Sequence, residues 1–186
     1  MGNPVIDVIR ARRSIRKYTG KPVTKEVIGQ LLSAAVMSPS AMDREPWRFV
    51  VITDKAKIKE LSDAVKRLTP LQGLAQKFVE RMTSREDLIF YSAPLLILIV
   101  AQKDYKWAHL DCGILAQTMF LAAKSFGLGS CFIGFARALN NDHELLRSLG
   151  VPEGDEIVAP LIFGYQAEEK KAPERKFEDK VLKWFE

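Results

Sequence analysis

The chain has 186 residues, 47% hydrophobic and 27% charged, the balance of one soluble globular domain with a sizeable core. A net charge of +5 favours anionic partners such as phosphate, nucleic acid or an acidic cofactor. Two cysteines, Cys112 and Cys131, provide no disulfide framework and fit buried thiols in a reducing compartment, and His109 and His143 lie too far apart for a local zinc motif.

The opening "MGNPVIDVIR" lacks the basic start and long apolar stretch of a secretory signal, and Ile6 stands where a myristoylation site needs Ser or Thr. Val5, Ile6 and Ile9 have helical spacing, so a first helix is expected to about residue 11. "ARRSIRKYTG" then crowds Arg12, Arg13, Arg16 and Lys17 around Ser14, and such a run needs an anion to hold or water to solvate it. Thr24 is a candidate N-cap for a helix whose apolar face is Val27, Ile28, Leu31, Leu32 and Ala35, with Pro39 as the stop. "WRFVVIT" (47–53) reads as a strand, and Asp54 caps an amphipathic helix through Ile58, Leu61 and Val65. Residues 68–83 carry Pro70, Gly73 and a weak helical pattern that suits a lid, Ser84 and Asp87 have capping-box spacing before "LIFY", and 67–90 as a whole match no specific motif.

"PLLILIVA" (94–101) is apolar on both faces, hence a central strand, and its apolar run is too short to span a bilayer. "LDCGILAQTMFLAAKSFG" (110–127) is apolar almost all round, which predicts a helix inside the molecule or in a subunit interface, ended by Gly127 and Gly129. "SCFIG" is a short strand, Asn141 and Glu144 form a capping pair for "HELLRSLG", and "EIVAPLIFGY" (156–165) is a third core strand. The tail from about 166 to 186 is charged but closes on Val181, Leu182, Trp184 and Phe185, which need apolar cover. The mixed order predicts an α+β sandwich in one domain, residues 1–186.

Familiar catalytic motifs are missing. "GLGSCFIG" has Phe132 where a dinucleotide fingerprint needs glycine, and it follows a helix where that fingerprint follows a strand. No P-loop or nucleophile elbow occurs, and Cys112 near His109 on an apolar helix is core packing rather than a nucleophilic pair. Nucleic-acid binding is set aside because aromatic and basic residues do not interleave. An arginine cluster with few acid–base groups points to chemistry supplied by a cofactor.

Five segments, "RRSIRKY", "MSPSAMDREPWRFVV", "FYSAPLLILIV", "DCGILAQTMFLAAKSFGLGSCFIG" and "LIFGYQAEEKKAPERK", occur in the order found in the nitroreductase family of flavin-dependent oxidoreductases, which the chain resembles from about residue 5 to 180. The resemblance implies a three-layer α+β sandwich with a mostly antiparallel sheet, in an intertwined cytoplasmic homodimer with FMN in the interface and the C-terminal tail on the partner. It implies hydride transfer from NADH or NADPH through FMN to a nitroaromatic, quinone or similar small acceptor, with ping-pong kinetics. No nucleic acid or membrane is involved. A dehalogenase-like enzyme of the same family and an FMN carrier without strong turnover are the alternatives.

The same resemblance gives Arg12 and Ser14 to the phosphate and ribityl oxygens, with Arg13 close by, and Arg16 to the pyrimidine edge of the flavin. Arginine's planar fork suits phosphate, and a cation at that edge favours the reduced, negatively charged ring without acid–base chemistry. Pro39, Ser40 and Ala41 match a segment that crosses from the second subunit to lay backbone against the ring. Asp43 and Glu45 stand where the family commonly has amides, and neutralisation by Arg44 or Arg48 is expected. Phe132, Ile133 and Gly134 match the backbone facing flavin N5 and O4, Gly134 allowing close approach. Arg175 fits the second of a basic pair at the phosphate, whose first position is Pro173; Lys176 or Lys171 compensates. Thr118 replaces a common Asn as a packing change. Trp107 and Phe126 read as core, and Gln72 and Lys77 receive no role.

Overall fold

The computed structural model describes residues 2–84 and 86–186. Its elements run α1 (Pro4–Ala11), α2 (Lys25–Ala35), β1 (Arg48–Ile52), α3 (Lys55–Leu68), α4 (Gln76–Thr83), β2 (Leu95–Gln102), α5 (Ala108–Ser125), β3 (Leu128–Phe132), α6 (His143–Ser148) and β4 (Asp155–Tyr165), with 3₁₀ turns at Ala41–Asp43, Gly134–Asn141 and Glu178–Lys180. The strands form one antiparallel sheet in the order β1-β2-β4-β3. The α+β expectation and the antiparallel sheet are borne out.

The two-sided apolar pattern of β2 builds two core layers. Leu95, Ile97, Ile99 and Ala101 pack with α2 and α5, while Leu96, Leu98 and Val100 pack with α3 and the 134–141 turn. Each fully buried leucine or isoleucine contributes about 1.5–3 kcal/mol. Pro160 lies inside β4 in register with Leu98, and its carbonyl accepts from the Ile133 N–H at 2.9 Å, so its missing N–H falls on the side where β3 has already ended at Phe132.

Local signals explain most boundaries. Asn3 caps α1, accepting from the Val5 and Ile6 N–H groups with Pro4 in the first turn; Thr24 caps α2 and Asp54 caps α3. Four expectations need correction. Helix α2 ends at Ala35, well before Pro39. Asp142 rather than Asn141 caps α6, accepting from the Leu145 N–H at 3.0 Å. No helix follows Ser84 and Asp87. Gly127, at φ +74°, does end α5, but Gly129 is a residue of β3.

Three apolar groups have no cover within the chain. Val5, Ile6 and Ile9 of α1 are exposed, as are Leu110 and Ile114 of α5, and Leu182, Trp184 and Phe185 of the tail. Trp107 and Phe126, expected in the core, are also part-exposed.

Candidate active site

The arginine run is laid across the sheet as a strap. Ile15 N–H donates to the Ser130 carbonyl, Thr19 N–H to the Tyr165 carbonyl and Ala167 N–H to the Lys17 carbonyl, each at 2.9 Å. The floor beneath is made of glycine. Gly129 and Gly164 are cross-strand partners in β3 and β4. A Cβ on Gly129 would lie 2.8 Å from Ile15, and one on Gly164 would lie 2.6 Å from Pro94 and 2.8 Å from Tyr18. Only glycine lets the strap sit this close. Buried Ile15 anchors it, and the Tyr18 hydroxyl donates to the Ile15 carbonyl at 2.8 Å.

The chain after β4 clasps the strap from above. The Glu168 carboxylate accepts from the Arg16 N–H at 2.8 Å and pairs with Lys170 at 2.9 Å, and Lys170 Nζ donates to the Ser14 carbonyl at 2.9 Å. Partial burial pushes the Glu168 carboxyl up, but the Arg16 N–H and the Lys170 ammonium outweigh it and hold the group below the usual carboxylate range.

Between strap and clasp lies an open cavity of about 550 Å³, lined by Arg12, Arg13, Ser14, Arg16, Lys170, Lys171 and Arg175 among others. Burial, then Arg13, then Arg175 lower the pKa of Arg12, since burial and neighbouring cations disfavour its charged form. Arg13 Nε is buried with no hydrogen-bond partner. An orphaned guanidinium donor in a cationic pocket fits a phosphate. Lys171 lines this cavity beside Pro173 and Lys170, whereas Lys176 does not.

Arg16 also lines a second cavity of about 430 Å³, with Phe132, Ile133 and Gly134 on one side and Phe78, Arg81 and Tyr91 on another. Gly134 has no protein atom within 4 Å of the position its Cβ would take, so the chain itself leaves open the approach the sequence suggests. Residues 67–90 contribute α4 to this wall, but Lys77 lies on the Phe78 ring and Gln72 is exposed; neither lines the cavity. Tyr91 and Ser92 both have positive φ, 55° and 52°. Asp87 holds that turn: its carboxylate accepts from the N–H groups of Ile89, Phe90 and Ser92 and from the Ser62 hydroxyl. The Ser84–Asp87 spacing is therefore the mark of a loop organiser. Phe78, Arg81, Leu88, Ile89, Tyr91 and Phe135 also line this cavity and are missed by sequence reasoning, because the helical pattern of α4 is short and the turn before β2 has no period.

Pro39, Ser40 and Ala41 lie elsewhere, in a cavity of about 230 Å³ with Trp107, Leu110 and Ile114. Ala41 N–H donates to buried Asp111 at 3.2 Å, and the Tyr105 hydroxyl donates to the Ala41 carbonyl at 3.2 Å and contacts Asp111 at 3.3 Å. Arg12 stands over Phe120 on the same helix, with 6.0 Å from guanidinium carbon to ring centroid. Asp111 and Phe120 are separated by roughly 13 Å of helix rise. One chain therefore does not bring Pro39–Ala41 to its own arginine cluster.

Asp43, at φ 53°, and Glu45, at φ 44°, follow that segment. The expected pairing with Arg44 or Arg48 does not form: Arg48 binds Asp155, and Arg44 lies 5.3 Å over the Tyr105 ring. Thr118 is more than packing, since its hydroxyl accepts from the Ser38 hydroxyl at 2.8 Å and donates to the Ile114 carbonyl at 3.2 Å. Cys112 is fully buried, and burial, then the Asp111 and Glu156 carboxylates, push its thiol up to about 12. His109 instead bonds Glu156 at 2.8 Å, so no nucleophilic pair exists.

The fold is close to that of a nitroreductase with bound FMN from Bacteroides fragilis, at a TM-score of 0.87 and 31% identity with both chains fully covered. A "NADH dehydrogenase" of Thermus thermophilus is 29% identical over 97% of this chain and 97% of its own length. An "iodotyrosine deiodinase" of Hydra vulgaris is 28% identical over 90% of this chain and 67% of its own length. The model of the Nitroreductase family matches residues 9–165, which includes the arginine strap, both walls of the second cavity and all four strands. The chain belongs to the nitroreductase family.

Proposed function

We propose that the protein is an FMN-dependent NAD(P)H oxidoreductase that passes hydride to nitroaromatic, quinone or similar small acceptors. The observation that carries this reading is the junction at Arg16. A cationic cradle with an unsatisfied arginine donor adjoins an aromatic-walled cavity, and Arg16 lines both. A mononucleotide with a phosphate at one end and a flat ring at the other matches that pair. When bound, FMN supplies the hydride-accepting and hydride-donating centre.

Arg12, Arg13, Lys171 and Arg175 hold the phosphate by charge-assisted hydrogen bonds. Arg16 keeps a positive charge beside the ring and stabilises negative charge gained on reduction. The Phe132–Gly134 backbone orients the ring, and Phe78 and Tyr91 narrow access for water. Donor and acceptor take turns in this one cavity, which gives ping-pong kinetics.

The working unit is a homodimer in the cytoplasm. Supporting this are the uncovered apolar residues of α1, α5 and the tail, the distance of Pro39–Ala41 from the strap, and two free thiols. In it, Pro39, Ser40 and Ala41 of one subunit meet the ring held by the other, and the 166–186 tail covers its neighbour. The alternative of reductive dehalogenation draws on the deiodinase relative.

The test is optical and kinetic. Purified protein should be yellow, bleach with NADH or NADPH, recolour with a quinone or nitroarene, and give parallel double-reciprocal lines. A colourless protein that fails to bind added FMN overturns the reading; halide release from an iodophenol with no nitroarene turnover selects the alternative.

A further inference from the structure

The second cavity carries a second cation, Arg81, beyond the Arg16 that the proposed hydride transfer uses. Arg81, on α4, stands 5.5 Å from the Tyr91 ring centroid and 5.6 Å from that of Phe78. Arg16, on the strap, stands 5.9 Å from the same Tyr91 ring. Two guanidinium groups from distant parts of the chain thus converge on one phenol, and no acidic residue lines the cavity among those described. Arg81 makes no ion pair among the described residues, whereas Lys59, Lys66 and Arg67 of neighbouring α3 all do.

The backbone beneath Tyr91 is independently unusual. Tyr91 and Ser92 are consecutive non-glycine residues in the left-handed region, a conformation that costs each of them about 1 kcal/mol or more. Asp87, with three backbone donors and the Ser62 hydroxyl on its carboxylate, keeps them there. A loop held this firmly against its own preference fixes where the ring lies, and the ring in turn gives Arg81 a flat surface to rest on. Guanidinium stacked on an aromatic face keeps its outward N–H groups free for a carboxylate or phosphate.

We propose that Arg81, on its Tyr91 and Phe78 platform and opposite Arg16, is a specificity-determining residue that selects ligands whose ring carries an anionic group. Two sources supply that chemistry: a carboxylated aromatic acceptor, or the 2′-phosphate of the nicotinamide donor. The binding argument stands on the cavity itself; only the turnover arms rest on the proposed oxidoreductase function.

The experiment compares wild type with Arg81→Met, which keeps the aliphatic stem, and Arg81→Lys, which keeps the charge. Calorimetric titration uses benzoate against benzamide as a matched charged and neutral pair. Benzoate should bind wild type more tightly than benzamide. Arg81→Met should weaken benzoate about tenfold and benzamide by less than about twofold, with Arg81→Lys retaining most of the preference. A wild type without preference for benzoate, or an Arg81→Met that shifts both ligands equally, overturns the proposal.

In turnover, a loss of kcat/KM confined to 4-nitrobenzoate relative to its methyl ester assigns the group to the acceptor. A loss confined to NADPH relative to NADH assigns it to the donor. Equal losses on charged and neutral substrates overturn it. Absence of turnover with any donor sinks the oxidoreductase reading while the titration still decides the role of Arg81.

Discussion

The strap (residues 14–19) and the segment Pro39–Glu45 are both irregular and are held in opposite ways. The strap takes its geometry from the sheet. Its N–H and carbonyl groups pair with Ser130, Tyr165 and Ala167, and none of its non-glycine residues has positive φ. The segment has no sheet to lean on. Met42, Asp43 and Glu45 all have positive φ, and buried or half-buried side chains hold it: Asp111, Tyr105, the Ser40 hydroxyl accepting from the Glu45 N–H, and the Ser38–Thr118 pair. Asp87 does for Tyr91 and Ser92 what Asp111 does for Ala41. The difference teaches that a regular neighbour makes strain unnecessary, and that where none is available a carboxylate with several donors substitutes for it.

Three perturbations press on that contrast. The largest effect is expected at the strap's orphaned donor. Arg13→Met should lower FMN affinity roughly 10- to 100-fold by titration of the flavin-free protein. It should leave thermal stability of that protein unchanged or slightly raised, since it removes a buried polar atom that has no partner. A fall in stability with no change in FMN affinity would assign Arg13 to the scaffold instead.

Gly129→Ala comes next. Its Cβ would press on Ile15, and overpacking of this kind costs about 1–3 kcal/mol, readable by denaturant unfolding. Adding Ile15→Ala should return part of the loss in a double-mutant cycle, and strict additivity would show that strap and floor are independent. The smallest effect is expected in the strained segment. Thr118→Val leaves the buried Ser38 hydroxyl without its acceptor and should cost about 1 kcal/mol while leaving FMN affinity unchanged.

Elements with a clean period were legible in the sequence. The apolar face of α2, the two-sided pattern of β2 and the Asp54 cap of α3 all lead to the observed element. Neighbouring cap formers were harder to separate: Asn141 and Asp142 are chemically equivalent at a helix start, and only the fold decides between them. Gly129 looked like a helix stop because sequence shows a glycine's freedom of φ, whereas its need for space depends on Ile15, far away in the chain.

The candidate site divides the same way. Arg12, Arg13, Ser14, Arg16 and Arg175 are brought to one cavity, and Phe132–Gly134 to the adjoining one, along lines set by short motifs. Arg81 sits on a helix whose pattern is short and Tyr91 gains its place from a turn that Asp87 stabilises, so neither stands out in the sequence. Asp111 does carry a sequence signal: it is a lone acid in a largely apolar helix, and a carboxylate buried there must have partners.

The strap has a second consequence. In the order β1-β2-β4-β3 one flank of the sheet is β3, and an unpaired flank is a template on which foreign strands can add. By bonding to Ser130 the arginine run closes part of that flank and leaves fewer unpaired groups there for a foreign strand. The segment suited to grip an anion also covers a sheet edge, so substitutions that free the strap are expected to open β3 to edge-to-edge strand pairing as well as to weaken binding.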